Sequence, residues 1–354
     1  MKNSLTVATT RRNEYLTELD SLVIPKRGNS LGYASVFCGG GGLDLGFAVA
    51  GFKPLFSSDL VPSFCETIHK NLGKHIVESH DITALSGRAV LDRVAVPVDM
   101  VIGGPPCQSF SILGSRRSTG DPRGKLAYEY ARFIREVAPK AFLFENVPGI
   151  LTVNKGADWK ELLSFFEAET GYHIQWTRLN AVWFGVPQIR QRVIAVGFLD
   201  EVAFSRFKWP HRTHSESMEQ PELRAQLPRQ SSLAFEDIHQ LPNHILREHC
   251  ERVRSRYSQI SPGDRDRKDH TDRVHPDRPS GTVLVGSGAG GGRPFIHPHE
   301  HRHITVREAA RLQSFPDWWV FAGGPTAAYR QVGNAVPPIM ARAIALEMAK
   351  ALKG

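Results

Sequence analysis

The sequence lacks the residue patterns that mark several common classes of protein. Its 354 residues include only four cysteines, Cys38, Cys65, Cys107 and Cys250, and no two of them form a CxxC pair. Neither a zinc site nor a disulfide framework is therefore expected. No segment approaches the ~20 apolar residues of a membrane span, and the N-terminus lacks the apolar stretch of a secretory signal. We expect a cytoplasmic protein with no metal and no membrane contact.

The composition that remains is ordinary for a globular protein, with one bias in charge. Hydrophobic residues make up 41% and charged residues 23% of the chain, as in typical soluble domains. The formal net charge of +8 favours an anionic partner such as nucleic acid, although many basic proteins bind none. Residues 204–280 carry only a slight excess of Lys and Arg over Asp and Glu, so this region is not a broad basic patch.

Short apolar runs alternate with amphipathic stretches through the first two hundred residues. Such alternation predicts βαβ units and an α/β fold with a doubly wound, mostly parallel sheet. The predicted strands are YASVF (33–37), KPLFSSD (53–59), VDMVIGG (98–104), KAFLFEN (140–146) and RVIAVGF (192–198).

The patterning changes along the chain and predicts four segments. Residues 1–30 are polar and weakly patterned, and the stretch after Phe198 is rich in charge and proline. Thr305 and Glu308 form a predicted capping box at the start of a later helix. The expected segments are an N-terminal extension (1–30), a cofactor-binding and catalytic domain (31–203), a smaller loop-rich domain (204–303) and a C-terminal segment returning to the first domain (304–354).

A glycine-rich turn, SVFCGGGGLDLGF (35–47), follows the first predicted strand. Glycines at such a turn let the backbone approach a ligand, and the helix that follows offers free N–H groups. Asp44 stands where the dinucleotide fingerprint has its third glycine, which disfavours a nicotinamide cofactor. Asp59 ends the second strand, where an acid commonly binds ribose hydroxyls, and Asp81 could reach the adenine end. A flexible turn and helix-capping aspartates are the structural alternatives.

Cys107 lies in a stiff turn, GGPPCQSFS (103–111), directly after a predicted strand. A catalytic thiol needs a fixed, activating setting, but a stiff turn is equally compatible with a structural cysteine. Glu145 ends another apolar strand, where its carboxyl group could have a raised pKa and share a proton with a ligand. The alternative for Glu145 is an ion pair with a nearby arginine.

Gln188, Arg190 and Arg192 are spaced by two residues at the entry to the last apolar strand. On a strand, side chains at this spacing share one face. Two arginines entering an apolar strand need an anionic or carbonyl partner. A ligand or phosphate would serve, and so would a structural ion pair.

These motifs, in this order, resemble the DNA (cytosine-5) methyltransferase family. The resemblance runs from about residue 33 to the C-terminus and is interrupted near 204–280. It rests on FCGGGG (37–42), Asp59, GGPPCQSFS (103–111), ENV (145–147), QIRQR (188–192), REAARLQSFPD (307–317) and QVGNAVPP (331–338). The family implies a Rossmann-like fold, S-adenosylmethionine as methyl donor and duplex DNA as substrate.

The resemblance also implies a role for each matching residue. The Cys107 thiolate would add to C6 of a flipped-out cytosine, Glu145 would act at N3, and Arg190 and Arg192 would contact the base carbonyl or phosphates. The implied cofactor-binding residues are Phe37, Gly39, Gly41, Gly42, Asp59, Asp81, Ile82, Pro106 and Asn334. The expected DNA contacts are Gln108, Ser111, Arg116, Arg117 and Gln188.

Region 204–303 is expected to recognise the target sequence in the major groove. Arg252, Arg254 and Arg256 are candidates for DNA contact, with a solvated helix face as the alternative. The histidine-rich stretch HPHEHRH (297–303) is expected to be a loop and not a metal site. We expect a monomer in a restriction-modification or orphan modification role, with a cognate endonuclease as a possible partner.

Two other functions fit parts of the pattern. A tRNA cytosine methyltransferase would use the same chemistry on another polymer, and the long variable region argues mildly against it. A catalytically silent DNA-binding relative would have lost Cys107, Glu145 or the arginines, and all of them are present.

Overall fold

The computed structural model describes residues 12–106, 125–219, 225–284 and 295–354. Five of the sequence-predicted site residues lie outside these ranges: Cys107, Gln108, Ser111, Arg116 and Arg117. Among the described residues, no helix has both the length and the apolar character that crossing a membrane requires.

A seven-stranded sheet forms the centre of the fold, and the predicted doubly wound architecture is confirmed. The strands lie in the order β3-β2-β1-β4-β5-β7-β6. The first five pair in parallel, whereas β7 runs antiparallel between β5 and β6. The strands are β1 (Gly32–Val36), β2 (Lys53–Asp59), β3 (Ile76–Ser79), β4 (Met100–Gly103), β5 (Ala141–Asn146), β6 (His173–Asn180) and β7 (Gln191–Phe198).

All five predicted strands are present, with ends that differ by at most two residues and coincide for β2, but β3 and β6 were not predicted. Both unpredicted strands lie at the edges of the sheet. The residues of β3 are half-buried or exposed, and β6 alternates polar and partly buried residues until its last two. An edge strand covered on few sides does not need the apolar run on which the prediction depended.

Helices cover both faces of the sheet. In β1, Tyr33 packs into one apolar core, whereas its neighbours Ala34 and Val36 pack into a second core on the opposite face. The first core includes residues of α2 (Gly42–Val49), α7 (Glu201–Arg206) and the C-terminal helices, and the second includes residues of α4 (Gly87–Val94), α5 (Lys125–Val137) and α6 (Ala157–Thr170). Helix α3 (Pro62–Leu72) follows β2 and packs beside β2 and β3.

A short helix, α1 (Glu14–Asp20), lies within the segment predicted to be an extension. Its side chains Tyr15, Leu16 and Leu19 are fully buried in the first core. Asn13 caps the helix, because its Oδ1 accepts a hydrogen bond from the backbone N–H of Leu16 at 2.8 Å. The sequence did not indicate this element, since a helix of seven residues, about two turns, is too short for a clear apolar periodicity.

The C-terminal helices return to the central sheet. Helix α8 (Glu251–Ser258) lies in the loop-rich region, and α9 (Val306–Leu312), α10 (Pro325–Asn334) and α11 (Pro338–Lys353) follow it. The predicted capping box of Thr305 and Glu308 is confirmed at the start of α9. Helix α11 packs closely on α2: a Cβ atom at Gly46 would lie 2.4 Å from the Cβ of Ala341. The four domain limits stay a prediction.

We predict that α1 contributes to the stability of the catalytic fold. Leu19→Ala should lower the free energy of unfolding by about 2–5 kcal/mol, because it leaves a cavity in a packed core. Thr17→Ala, on the exposed side of the same helix, should change it by about 0.5 kcal/mol or less. Urea unfolding measures both values. Equal, small effects would mean that the helix does not pack as described.

Candidate active site

A cleft of about 630 Å³ opens at the carboxyl ends of β1, β2, β4 and β5. This is the edge at which doubly wound sheets bind their ligands. Ten of the predicted site residues line it: Phe37, Gly39, Gly42, Asp59, Asp81, Ile82, Pro106, Glu145, Arg192 and Asn334. The end of α10 and the segment after it close the cleft with Asn334, Ala335 and Val336.

The glycine loop between β1 and α2 is shaped by close packing against the C-terminal segment. A Cβ atom at Gly40 would lie 2.8 Å from the carbonyl oxygen of Gln331, and one at Gly42 would lie 2.0 Å from that of Val336. Phe37 and Gly39 both have positive φ angles, 56° and 54°. The loop can therefore pass between the sheet and the C-terminal segment only with glycines at positions 40 and 42.

Gly41 has a different place from the one expected. It is not among the residues that line the cleft. Its φ angle is 78°, and a Cβ atom there would lie 2.5 Å from both the Ile68 and the Trp319 side chains. Gly41 thus allows α2 to begin against the core.

Asp59 joins the end of β2 to the glycine loop. Its Oδ2 accepts a hydrogen bond from the backbone N–H of Gly39, and its Oδ1 accepts one from that of Val61, both at 3.0 Å. Burial raises the pKa of Asp59, and these two backbone donors partly offset the shift. Both carboxylate oxygens keep further acceptor capacity for a ligand in the cleft.

Asp81 and Ile82 form the far wall of the cleft. The Oδ1 of Asp81 accepts hydrogen bonds from the N–H and hydroxyl groups of Thr83, both at 2.9 Å. The carbonyl oxygen of Ile82 accepts one from the Arg132 guanidinium at 2.7 Å. These bonds fix the wall, while the Asp81 side chain stays exposed.

A buried ion pair joins Glu145 at the end of β5 to Arg192 at the start of β7. The Nε of Arg192 lies 2.8 Å from the Oε1 of Glu145, and the two side chains are 8% and 11% exposed. Burial raises the pKa of Glu145, although Arg192 and the nearby Arg190 oppose the shift. Burial also lowers the pKa of Arg192. Glu145 is therefore a carboxyl group whose pKa is displaced toward neutrality beside a cation.

The turn before Cys107 packs against the same carboxyl group and is hydrogen-bonded to the neighbouring Asn146. A Cβ atom at Gly104 would lie 2.5 Å from the Oε2 of Glu145, so a larger residue there would displace the carboxylate. Asn146 donates a hydrogen bond from its Nδ2 to the carbonyl oxygen of Pro105 at 3.0 Å. The residue pair at the end of β5 thus positions the turn up to Pro106, the last described residue before Cys107.

Arg190 borders a cavity beside the cleft but lies deeper than Arg192. Its side chain is fully buried. It donates hydrogen bonds to the carbonyl oxygens of Val283 at 3.1 Å and Gly333 at 2.7 Å. Burial and the positive charge of Arg192 lower the pKa of Arg190. Carbonyl oxygens therefore bind both terminal nitrogens of this guanidinium group, which joins segments distant in sequence, while its buried Nε has no hydrogen-bond partner among the described residues.

Gln188 also differs from the expected DNA contact. It is fully buried. Its amide donates to the carbonyl oxygen of Leu312 at 3.0 Å and accepts from the N–H of Val283 at 2.9 Å. Only Arg192 belongs to β7, so Gln188, Arg190 and Arg192 do not share a strand face as predicted. The amide of Gln188 is used internally, because this segment pairs with the chain near Ser280.

A second cavity, of about 510 Å³, adjoins the cleft. Val147, Arg192 and Asn334 line both spaces. The second cavity is also lined by Thr282 and Gly333, which the sequence analysis did not single out. The hydroxyl of Thr282 donates to the carbonyl oxygen of Ile189 at 2.8 Å. No local sequence signal marks Thr282, since it reaches the site only by this pairing of distant segments.

Asp44 is a buried carboxylate beneath the glycine loop. From the sequence, Asp44 was interpreted only as a departure from the dinucleotide glycine pattern. It is fully buried and accepts hydrogen bonds from the hydroxyls of Ser35 and Ser57, both at 2.9 Å. Burial raises the pKa of Asp44 to about 6, despite these two hydroxyls. An acid in the first turn of a helix that follows four glycines could have indicated a residue at the cleft floor.

Metal ligands are not grouped in the described ranges, where no set of three or more His, Cys, Asp or Glu side chains is placed to hold an ion. In the histidine-rich stretch, the Nδ1 of His297 accepts from the backbone N–H groups of His299 and Glu300. This ring therefore orders a turn.

The topology and the cleft define the chain as a doubly wound α/β protein with an enzyme-like site at the carboxyl edge of its sheet. The sequence matches the family of C-5 cytosine-specific DNA methylases over residues 31–350. The chain belongs to this family and is a methyltransferase, which confirms the resemblance.

Two similar proteins are named Type II methyltransferases. The chain is 37% identical over 334 residues to the Type II methyltransferase M1.HphI of Haemophilus parahaemolyticus, covering 89% of this chain and 86% of that one. It is 36% identical over 322 residues to M.NgoFVII of Neisseria gonorrhoeae, covering 86% and 82%.

Solved structures share the fold. A proposed DNA modification methyltransferase encoded within an E. coli prophage has a TM-score of 0.71 and 27% identity, covering 92% of this chain and 100% of that one. The Dnmt2 methyltransferase of S. pombe, 18% identical with a TM-score of 0.62, shows the fold alone. The Rossmann-like methyltransferase fold is thereby confirmed.

We predict that Asp44 makes stability depend on pH. Its pKa is about 6 in the folded protein against 3.8 when unperturbed, so the folded state binds more protons between these values. Stability should fall as pH rises from about 4 to 6, by about 3 kcal/mol from this group. Asp44→Asn should remove that part of the slope in urea unfolding, and Asp92→Asn, an exposed acid, should not. Parallel slopes for all three proteins would contradict the assignment.

Proposed function

We propose that this protein transfers a methyl group from S-adenosylmethionine to C5 of a flipped-out cytosine in duplex DNA. The observation that carries the proposal is the buried Glu145–Arg192 pair, 2.8 Å apart, at the junction of the cleft and the second cavity. A carboxyl group with a raised pKa beside a fixed cation can share a proton with a ring nitrogen and orient its carbonyl.

The residues of the cleft fit the cofactor. Gly39, Gly40 and Gly42 line the cleft without side chains, so their backbone is open to a ligand, and Asp59 ends its strand as a ribose-binding acid would. Asp81 and Ile82 would hold the adenine, and Pro106 and Asn334 would close the cleft. When bound, S-adenosylmethionine supplies a methyl group on a positively charged sulfur, open to attack by a carbon nucleophile.

The second cavity would receive the cytosine. It adjoins the cleft through Arg192 and Asn334, so a base inserted there would have its ring beside the methyl donor. The base must leave the DNA stack to enter, at a cost of a few kcal/mol. Glu145 would face N3 of the base, and Arg192 would face its carbonyl oxygen.

The proposed chemistry divides the work between a thiolate and a protonated acid. The Cys107 thiolate adds to C6, and Glu145 donates its proton toward N3, so that the electrons of the ring make C5 nucleophilic. After C5 is methylated, loss of the C5 proton and release of the Cys107 sulfur restore the aromatic ring. Burial of Glu145 favours the protonated form needed in the first step.

The two arginines divide their work as well. Arg192 would touch the base directly, because it lines both cavities. Arg190 would act as a positioning residue, because its guanidinium group is committed to the carbonyl oxygens of Val283 and Gly333. This assignment revises the expected direct contact by Arg190.

A restriction-modification role is the proposed biological setting. The relatives at 37% and 36% identity are named Type II methyltransferases. We propose a monomer whose partner, if it has one, is an endonuclease that cuts the same sequence. Methylation of tRNA is the alternative substrate class, and the family match to DNA methylases favours DNA.

Trapping of a covalent adduct tests the proposal. Duplex DNA carrying 5-fluorocytosine should form a stable adduct with the wild-type protein and S-adenosylmethionine, because fluorine cannot leave as a proton does. Denaturing electrophoresis with labelled DNA detects it. Cys107→Ser should form no adduct, whereas Cys250→Ser, at an exposed cysteine, should form as much as wild type.

The same assay separates the alternatives. An adduct with 5-fluorocytosine tRNA and none with DNA would replace the DNA assignment with the RNA assignment. An adduct formed by Cys107→Ser would overturn the assignment of the nucleophile.

A further inference from the structure

A hairpin in the loop-rich region presents a short basic turn. Residues 263–266 and 271–273 pair in antiparallel fashion: the N–H of Arg273 donates to the carbonyl oxygen of Asp264, and the N–H of Asp266 donates to that of Thr271, both at 2.8 Å. The four residues RKDH (267–270) connect the two arms. We call residues 266–271 the basic turn.

The basic turn is held rigid from within. Asp266 is only 4% exposed, and its carboxylate accepts hydrogen bonds from the backbone N–H groups of Lys268 at 3.4 Å and Asp269 at 3.0 Å. Arg256 on α8 lies 3.3 Å from Asp266 and also pairs with Asp269. The backbone of the basic turn thus has a fixed shape before any ligand binds.

Further contacts support this network of Asp266, Asp269 and Arg256. The hydroxyl of Tyr257 donates to Asp269 at 3.3 Å and is hydrogen-bonded to the Nε2 of His303 at 2.7 Å. Arg273, in the second arm of the hairpin, is 4% exposed and donates to the carbonyl oxygens of Tyr257 at 2.5 Å and His297 at 2.9 Å. The hairpin, α8 and the histidine-rich stretch therefore form one connected unit.

Two cations at the tip are left for a partner. The side chains of Arg267 and Lys268 are exposed and have no ion pair among the described residues. By contrast, Arg256 pairs with Asp266 and Asp269, and Arg265 lies 3.6 Å from Asp272. Of the three arginines expected to contact DNA, Arg256 thus has a structural task. The Asp266 carboxylate is buried inside the turn, whereas Arg267 and Lys268 are exposed.

The hairpin lies within reach of the catalytic cavities. The chain that leaves the basic turn at Thr271 continues to Thr282, which lines the second cavity. Eleven residues span at most ~36 Å when fully extended. Thr271 is therefore no farther from Thr282 than about one turn of duplex DNA, and the tip residues lie beside Thr271 because the N–H of Asp266 donates to the carbonyl oxygen of Thr271.

We propose that the basic turn enters the major groove of the target DNA, where Arg267 recognises a guanine. The groove admits a two-stranded hairpin, and the guanidinium fork matches the O6 and N7 acceptors of guanine. Lys268 lacks this fork and adds positive charge toward the phosphates. This inference rests on the proposed function, because it assumes that the protein methylates DNA.

The test maps the methylated sequence. Wild-type protein and variants act on a library of random duplex DNA, and sequencing that resolves 5-methylcytosine gives the consensus of each. Arg267→Ala should relax the consensus at one guanine position, losing about 5- to 150-fold in discrimination there. Arg267→Lys should also lose it, because a lysine keeps the charge but not the fork. Arg88→Ala, an exposed arginine on α4, should retain the wild-type consensus.

The possible outcomes separate the two proposals. If wild-type protein methylates no DNA, the proposed function fails. If wild-type protein methylates a defined sequence and Arg267→Ala keeps the same consensus, only the inference about the basic turn is overturned. A uniform loss of activity on all sequences, restored by Arg267→Lys, would assign Arg267 to a phosphate and would overturn base recognition as well.

Discussion

The buried ion pair between Glu145 and Arg192 is the interaction on which the site depends. Burial of two charged groups costs free energy, and removing one partner would leave the other unpaired in the interior. Burial raises the pKa of Glu145, and the positive charges of Arg192 and Arg190 limit that rise. Gly104 leaves space for the Glu145 carboxylate, and Asn146 is hydrogen-bonded to the turn that leads to Cys107.

The sheet topology makes this pair possible. In a wholly parallel sheet, the first residues of a strand would lie at the edge opposite the cleft. Because β7 runs antiparallel to β5, its beginning lies beside the end of β5, where Asn146 pairs with Val193. The reversal carries Arg192 to the carboxyl edge of the parallel strands. One inverted strand thus places a cation among loops that otherwise supply glycines and acids.

Sequence patterns predicted the parts of the site that depend on local structure. Asp59 and Glu145 each end an apolar strand, and the capping box at Thr305 is a contact between residues three apart. Gln188 and Arg190 were predicted to face a ligand, but their partners come from segments 93 to 143 residues away. No local pattern contains that information. Helix α1 and the edge strands β3 and β6 were missed for local reasons, because α1 is short and the edge strands have no apolar run.

The most direct measurement of the central claim is the pKa of Glu145 itself. Carbon-13 NMR titration of the glutamate carboxyl groups, with the signal assigned by Glu145→Gln, measures it in the wild type and in Arg192→Met. The wild-type pKa should lie above the ordinary glutamate value. Loss of the arginine charge should raise it further, and Arg192→Lys should restore it in part. A wild-type pKa at or below the ordinary value, or one unchanged in Arg192→Met, would contradict the claim that burial and Arg192 together set the proton on Glu145.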